Sequence, residues 1–267
     1  MTAAVMQQRL GATITGRGDR AIVFGNGIGT SQQTWRFVVQ AIEAQTRIVR
    51  YDNVCSPVAP AGEYRAEAYG SIYGYVDDLI GLLDELDIRD ACYVGHSISG
   101  MIGLLAAIAA PERISRLMLV CSSPRFLEDV DFRNGFPRDV IDGMLSAMRA
   151  DFVGWSREFG ATVVGPGASE AEKQEFIALL SAMRPEIAFR VFQTMFLSDF
   201  RAVLPRVTQP VTVVHSPYDV AVPYSAGEFL VQQLPSATLV PLRSRGHVPQ
   251  LTDAPEIIAA ITQMLAA

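Results

Sequence analysis

Short apolar runs rich in β-branched residues punctuate the chain, at 21–24, 47–51, 92–95, 117–121, 211–215 and 239–242. Runs this short and this apolar predict strands buried on both faces rather than helices. Helical patterns lie between most of them. Ile72, Val76, Ile80, Leu83 and Leu86 fall on one face of a helix, and the segment from Pro255 onward predicts a closing helix. Strands alternating with helices imply an α/β fold with a mostly parallel twisted sheet flanked by helices. The alternation breaks between 124 and 206, where four helical segments follow one another at 138–149, 151–161, 169–183 and 185–197. An all-helical block set into a parallel sheet reads as a cap. The expected organisation is a core of 1–123 and 207–267 with a cap of 124–206. The stretch 53–62, with two prolines, reads as a surface turn.

Composition narrows the function classes. The chain has 267 residues, of which 49% are hydrophobic, and this excludes a disordered chain. Twenty-two basic residues against 28 acidic ones leave a net charge of -6. That balance argues against nucleic acid or an anionic membrane surface as the main partner, since both select basic patches, and it favours a neutral small molecule. The apolar stretch from Met101 to Ala110 is stopped by Pro111, well short of the roughly 20 residues that span a bilayer. No signal peptide is apparent. Three cysteines, Cys55, Cys92 and Cys121, are odd in number and far apart, matching neither a disulfide framework nor a zinc site. The expectation is a soluble, cytoplasmic protein without metal or organic cofactor.

The strongest chemical signal is Gly95-His96-Ser97-Ile98-Ser99, where a strand ends and a helix begins at once. A serine on such a turn has its oxygen exposed at a helix N-terminus, the setting of a nucleophile elbow. The alternative is a serine that only caps the helix. A nucleophilic serine needs a base, and the chain has three histidines. His96 adjoins Ser97 on a turn that splays neighbouring side chains apart. His215 ends a strand. His247, in the loop between the last strand and the last helix, lies at the carboxyl edge of the sheet, where open α/β folds bind ligands. Asp219 follows the strand 211–215 on that same edge and is the candidate to orient the base; Asp52, also after a strand, is its rival. The order Ser97, Asp219, His247 is that of α/β-hydrolases. Gly25-Asn26-Gly27-Ile28-Gly29 follows the first strong strand, and the backbone N–H groups of Ile28 and Ile98 are the candidate oxyanion donors. A phosphate-cradling loop is the competing reading of those glycines, but the lysine and the spacing are missing.

With these residues in view the sequence resembles the α/β-hydrolase family. Within it the chain resembles the branch holding the bacterial RsbQ-type regulator and the plant karrikin and strigolactone receptor hydrolases. The resemblance is carried by Gly25-Asn26-Gly27-Ile28-Gly29-Thr30-Ser31-Gln32, by the elbow through Gly103, by Ser123-Pro124-Arg125-Phe126, by Phe196-Leu197-Ser198-Asp199 and by Gly246-His247-Val248-Pro249. It implies a Ser97–His247–Asp219 triad under a cap of four helices. It also implies an apolar pocket walled by Ile28, Ile98, Met144, Phe159, Phe176, Phe196 and Val220. Two departures stand out: Asn26 before the oxyanion glycine, and Asn53-Val54-Cys55-Ser56 in place of a glycine-rich turn, which bears on the pocket mouth. The implied activity is hydrolysis of a small apolar ester or lactone by a monomer. A slow sensor that signals through a partner protein is the alternative role. Haloperoxidase or hydroxynitrile lyase chemistry stays open on the same scaffold, because a triad does not by itself fix the reaction.

Overall fold

Among the described residues seven strands form one sheet: β1 (Thr13–Thr15), β2 (Ala21–Gly25), β3 (Arg47–Tyr51), β4 (Ala91–His96), β5 (Ile114–Val120), β6 (Val211–His215) and β7 (Ala237–Pro241). The structure is a computed structural model that describes residues 5–266 except 19, 45 and 61; residues 1–4 and 267, the outer ends of the expected core, lie outside the described residues. Across the sheet the order is β1-β3-β2-β4-β5-β6-β7, and only β1 with β3 is antiparallel. Each expected run overlaps a strand: 47–51 and 211–215 coincide with β3 and β6, and the other four have shifted ends. β5 starts earlier than expected and stops at Val120, because Cys121 takes a left-handed backbone with φ 49°. β1, three residues at the sheet edge, is too short to leave a periodic signal.

Helices cover both faces. α1 (Val5–Arg9), α2 (Arg36–Ile42), α3 (Tyr73–Glu85) and α4 (Ile98–Ala109) belong to the first half. The side chains of β2 alternate as a doubly covered strand requires. Ala21 and Val23 join the core under α3 and α4, with Leu79, Leu82 and Leu105. Ile22 and Phe24 join the opposite core with Val38 and Val39 of α2. The buried stripe of α3 is Tyr75, Val76, Leu79, Leu82 and Leu83, so the expected face is rotated: Ile80 and Leu86 are only half-buried. The rotation brings Asp78 inward, where it pairs with Arg9 at 2.9 Å and accepts a hydrogen bond from Tyr69 at 2.8 Å.

Between β5 and β6 the chain leaves the sheet as α5 (Arg138–Ala150), α6 (Phe152–Val164), α7 (Glu170–Ser181) and α8 (Pro185–Leu197). Local chemistry sets their ends. Asp151 caps α6 by accepting from the Gly154 N–H at 2.9 Å, Ser169 and Glu172 form a capping box on α7, and Pro185 opens α8. After β6 come α9 (Tyr224–Gln233), α10 (Pro249–Thr252) and α11 (Ala254–Ala266), the closing helix. Among the described residues no helix is long and apolar enough to cross a membrane.

The two ends of the inserted helical segment are clamped together. Arg125 pairs with Asp199 across an isolated bridge and with Asp129 at 3.1 Å, while Arg201 pairs with both Asp129 and Asp199 at 2.7 Å. A shared network of this kind orders its members at lower entropic cost than separate surface pairs. The Arg125 and Asp199 stretches that stood out in the sequence thus meet at the base of the insertion. Replacing Asp199 by Ala is expected to speed amide hydrogen exchange across α5–α8 while leaving β4 and β5 protected. Unchanged exchange in the insertion would refute the clamp.

Candidate active site

Ser97 is the single residue between β4 and α4, and it adopts φ 56° and ψ -125°. A side-chain-bearing residue accepts that left-handed backbone only where its surroundings impose it. The turn is tight enough that a Cβ at Gly95 would lie 2.6 Å from the Gly100 nitrogen, so glycine is required there. The Ser97 side chain makes no capping bond to its helix; its hydroxyl donates instead to His247 Nε2 at 3.0 Å. β2 is flanked by β3 on one side and β4 on the other, so Ser97 stands where the strand order reverses, the crevice of open α/β sheets.

His247 Nδ1 donates to Asp219 Oδ2 at 2.7 Å. A carboxylate only accepts, so the proton sits on Nδ1 and Nε2 is free to take the serine proton. Asp219 is buried, and its Oδ1 accepts the N–H groups of Ala221 at 2.8 Å and Val222 at 3.0 Å. Burial alone would push this carboxyl up, but the facing His247, with His215 and the Val222 N–H, holds it below the ordinary range. Asp52 lies elsewhere: it accepts from the Gln32 backbone at 2.8 Å and from Gln32 Nε2 at 2.7 Å, pinning the loop after β2.

The other two histidines pack around this pair. His96 Nε2 donates to the His247 carbonyl at 2.6 Å, and the two rings lie 4.8 Å apart. Burial, reinforced by the neighbouring His247, lowers His96 to about 3. His215 Nε2 donates to the Val222 carbonyl at 3.0 Å and lies 4.0 Å from Asp219; burial lowers it too. The backbone of His247 is also held, its N–H donating to the Val163 carbonyl at the end of α6 at 2.9 Å. Gly246 makes this approach feasible, since a Cβ there would overlap the Val164 carbonyl.

The glycine loop after β2 runs beside the serine. A Cβ at Gly27 would fall 3.2 Å from the Ser97 Cβ and 2.6 Å from His96 Nδ1. Among the described residues no protein acceptor takes the N–H of Ile28 or of Ile98. The two sequence departures tie this loop down. Ser99 donates to the Asn26 carbonyl at 2.6 Å, Asn53 donates to the same carbonyl at 3.1 Å, and Asn26 Nδ2 donates to the Thr30 carbonyl at 3.0 Å. The Asn53-to-Ser56 turn is buried rather than on the surface. It borders Ala182, Arg184 and Ile187 and does not line the cavity above Ser97.

A cavity of about 220 Å³ opens above Ser97 and His247. Ile28, Met144, Phe159, Phe176, Phe196 and Val220 all line it, Val220 from an exposed position. Ile98 does not: it is buried in the hydrophobic core and is not among the residues that line the cavity. The sequence reading missed Phe126, Phe136, Thr162, Val163, Phe192 and Met195, which also line the cavity. Phe192 and Met195 recur at helical spacing with Phe196 on α8, a signal that could have found them. Trp155 stacks on Phe159 at 4.7 Å and meets Phe192 edge-on at 5.2 Å, bracing this aromatic wall. Cys121, Asp219 and His247 bring ligand-type atoms within 4.8 Å of one another, a proximity hidden by their separation in sequence.

The alpha/beta hydrolase family model matches residues 22–261. The chain belongs to the alpha/beta hydrolase family. This hydrolase is 38% identical over 246 residues to a strigolactone esterase of Arabidopsis thaliana, covering 92% of each chain. It is 37% identical over 245 residues to karrikin insensitive 2 receptor IA of Petunia hybrida, covering 91% of this chain and 89% of the receptor. The solved structure of a hydrolase from Oleispira antarctica superposes with a TM-score of 0.95 at 25% identity, covering 100% of this chain and 98% of the other.

Buried neutral histidines leave a pH signature. Between about pH 6.5 and its folded value of about 3, His96 binds a proton only in the unfolded chain. Its contribution is therefore present near neutrality and lost as pH falls, at up to about 1.4 kcal/mol per pH unit. In His96→Gln, which keeps a donor for the His247 carbonyl, unfolding free energy is expected to fall less steeply between about pH 6.5 and 4.5 than in the wild type. Equal slopes in denaturant titrations would contradict the burial of a neutral His96.

Proposed function

We propose that this hydrolase cleaves a small apolar ester or lactone through an acyl-enzyme. Ser97 attacks the carbonyl carbon while His247 Nε2 takes its proton. Asp219 keeps Nδ1 protonated and stabilises the imidazolium that forms. The N–H groups of Ile28 and Ile98 receive the oxyanion; one such donor is worth on the order of 3 kcal/mol of barrier. His247 then returns its proton to the leaving oxygen, and water, activated by the same base, releases the acid.

The observation that carries this reading is the continuous hydrogen-bonded line Ser97–His247–Asp219 at the floor of an apolar cavity. Phe159, Phe176, Phe192 and Phe196 make the wall fit for an apolar body, with the polar groups gathered at the carbonyl end. The α5–α8 segment acts in this account as a cap that carries most of the wall and keeps water from the acyl-enzyme. The esterase named among the relatives supports the same class of substrate.

The karrikin insensitive 2 receptors among the relatives support a second reading, a slow-turnover sensor whose cap is read by a partner protein. The two readings share the chemistry and differ in the rate of deacylation.

With p-nitrophenyl acetate and butyrate, the wild type is expected to give a burst of p-nitrophenol followed by steady turnover. Ser97→Ala is expected to lose both, with turnover down by roughly four orders of magnitude or more. A burst with almost no turnover would favour the sensor. Ser97→Ala retaining wild-type hydrolysis would overturn the acyl-enzyme.

A further inference from the structure

Cys121 carries a conformation that its residue type does not favour. It is fully buried, it follows β5 directly, and its φ is 49°. A glycine would adopt this backbone freely, whereas a residue with a Cβ is held there by its surroundings. The Cys121 N–H donates to the Val214 carbonyl of β6 at 2.9 Å, which fixes the turn. The turn re-aims the side chain. Along β5, Leu117 and Leu119 face one core while Met118 and Val120 face the other. Strict alternation would send residue 121 with Leu119, yet Cys121 joins Val120 instead. That puts its sulfur within 4.8 Å of both an Asp219 carboxylate oxygen and a His247 ring nitrogen.

The needs of Asp219 explain why a thiol there matters. Two backbone N–H groups hold its Oδ1, but its Oδ2 takes one nitrogen donor, His247 Nδ1. His215 does not supply a second, because its Nε2 proton goes to the Val222 carbonyl. His247 is a changing partner, gaining and losing a proton in every cycle of the proposed reaction. A donor outside the proton relay would keep the carboxylate in place throughout. Burial, with Asp219 alongside, pushes the Cys121 thiol well up, so it stays an S–H and adds no charge.

We infer that Cys121 is a positioning residue of the site: its S–H donates to the Asp219 carboxylate and holds it in the rotamer that meets His247 Nδ1. The inference rests on the hydrolase reading for its effect on rate, but not for its effect on the Asp219–His247 bond. Ser122, the next residue, donates to the Ser97 carbonyl at 2.7 Å. The end of β5 thus steadies the acid of the triad with one side chain and the nucleophile turn with the next.

The test compares Cys121→Gly, Cys121→Ala and Cys121→Ser. Glycine fits the left-handed backbone, so Cys121→Gly is expected to keep or raise the wild-type Tm while losing the donor. Two readouts apply: steady-state hydrolysis of p-nitrophenyl butyrate, and the low-field proton resonance of His247 Nδ1–H. Cys121→Gly and Cys121→Ala are expected to lower kcat about tenfold with little change in KM, and to shift and broaden that resonance. Cys121→Ser, which retains a donor, is expected to restore both. Wild-type kcat and an unmoved resonance in Cys121→Gly would overturn the inference. If the wild type itself shows no Ser97-dependent hydrolysis, the hydrolase reading falls, and the resonance alone still decides the role of Cys121.

Discussion

The hydrogen bond between His247 and Asp219 is the constraint around which this site is built. At 2.7 Å and out of water, it demands a carboxylate kept ionised against the cost of burial and an imidazole kept in one tautomer. The structure meets the first demand with the N–H groups of Ala221 and Val222. It meets the second by fixing His247 at four atoms: Nδ1 to Asp219, Nε2 to Ser97, the N–H to Val163 and the carbonyl to His96. The first two bonds define the chemistry, and the last two decide where the ring can stand. One of them comes from the helical insertion, so the position of α6 and that of the histidine are set together.

That coupling gives the insertion two roles from one segment. The aromatic side chains of α6, α7 and α8 form the wall of the cavity, and the end of α6 buttresses the loop bearing His247. The Arg125–Asp129–Asp199–Arg201 network then fastens both ends of the segment where it leaves and rejoins the sheet. A displacement of the insertion would alter the cavity wall and the position of His247 at once. Under the proposed function, this coupling would serve either turnover beneath the inserted helices or a sensor whose inserted helices report on what lies beneath them.

Much of this was legible in the sequence, for reasons that differ by residue. The parallel sheet showed because strands buried on both faces are almost wholly apolar, and the elbow showed because its turn admits only small neighbours around Ser97. Asp219 and His247 could be singled out because both follow strands on the same sheet edge. What stayed hidden depended on contacts between distant segments. Nothing in the pattern around Asp78 announced that it would face inward and pair with Arg9. The Ile98 side chain looked like pocket wall, yet the first turn of α4 faces it into the core. The left-handed turn at Cys121 had no glycine to signal it. The Asn53-to-Ser56 turn, read as part of a surface turn, is buried in the packing that holds the glycine loop.

In the proposed mechanism Ser97 is a nucleophile made reactive by His247. The most direct measurement is intact-protein mass spectrometry with peptide mapping after exposure to a fluorophosphonate, run on the wild type and on His247→Ala. One adduct per chain is expected, on Ser97, formed rapidly in the wild type and far more slowly without His247. An adduct on another residue, none at all, or an undiminished rate in His247→Ala would contradict it.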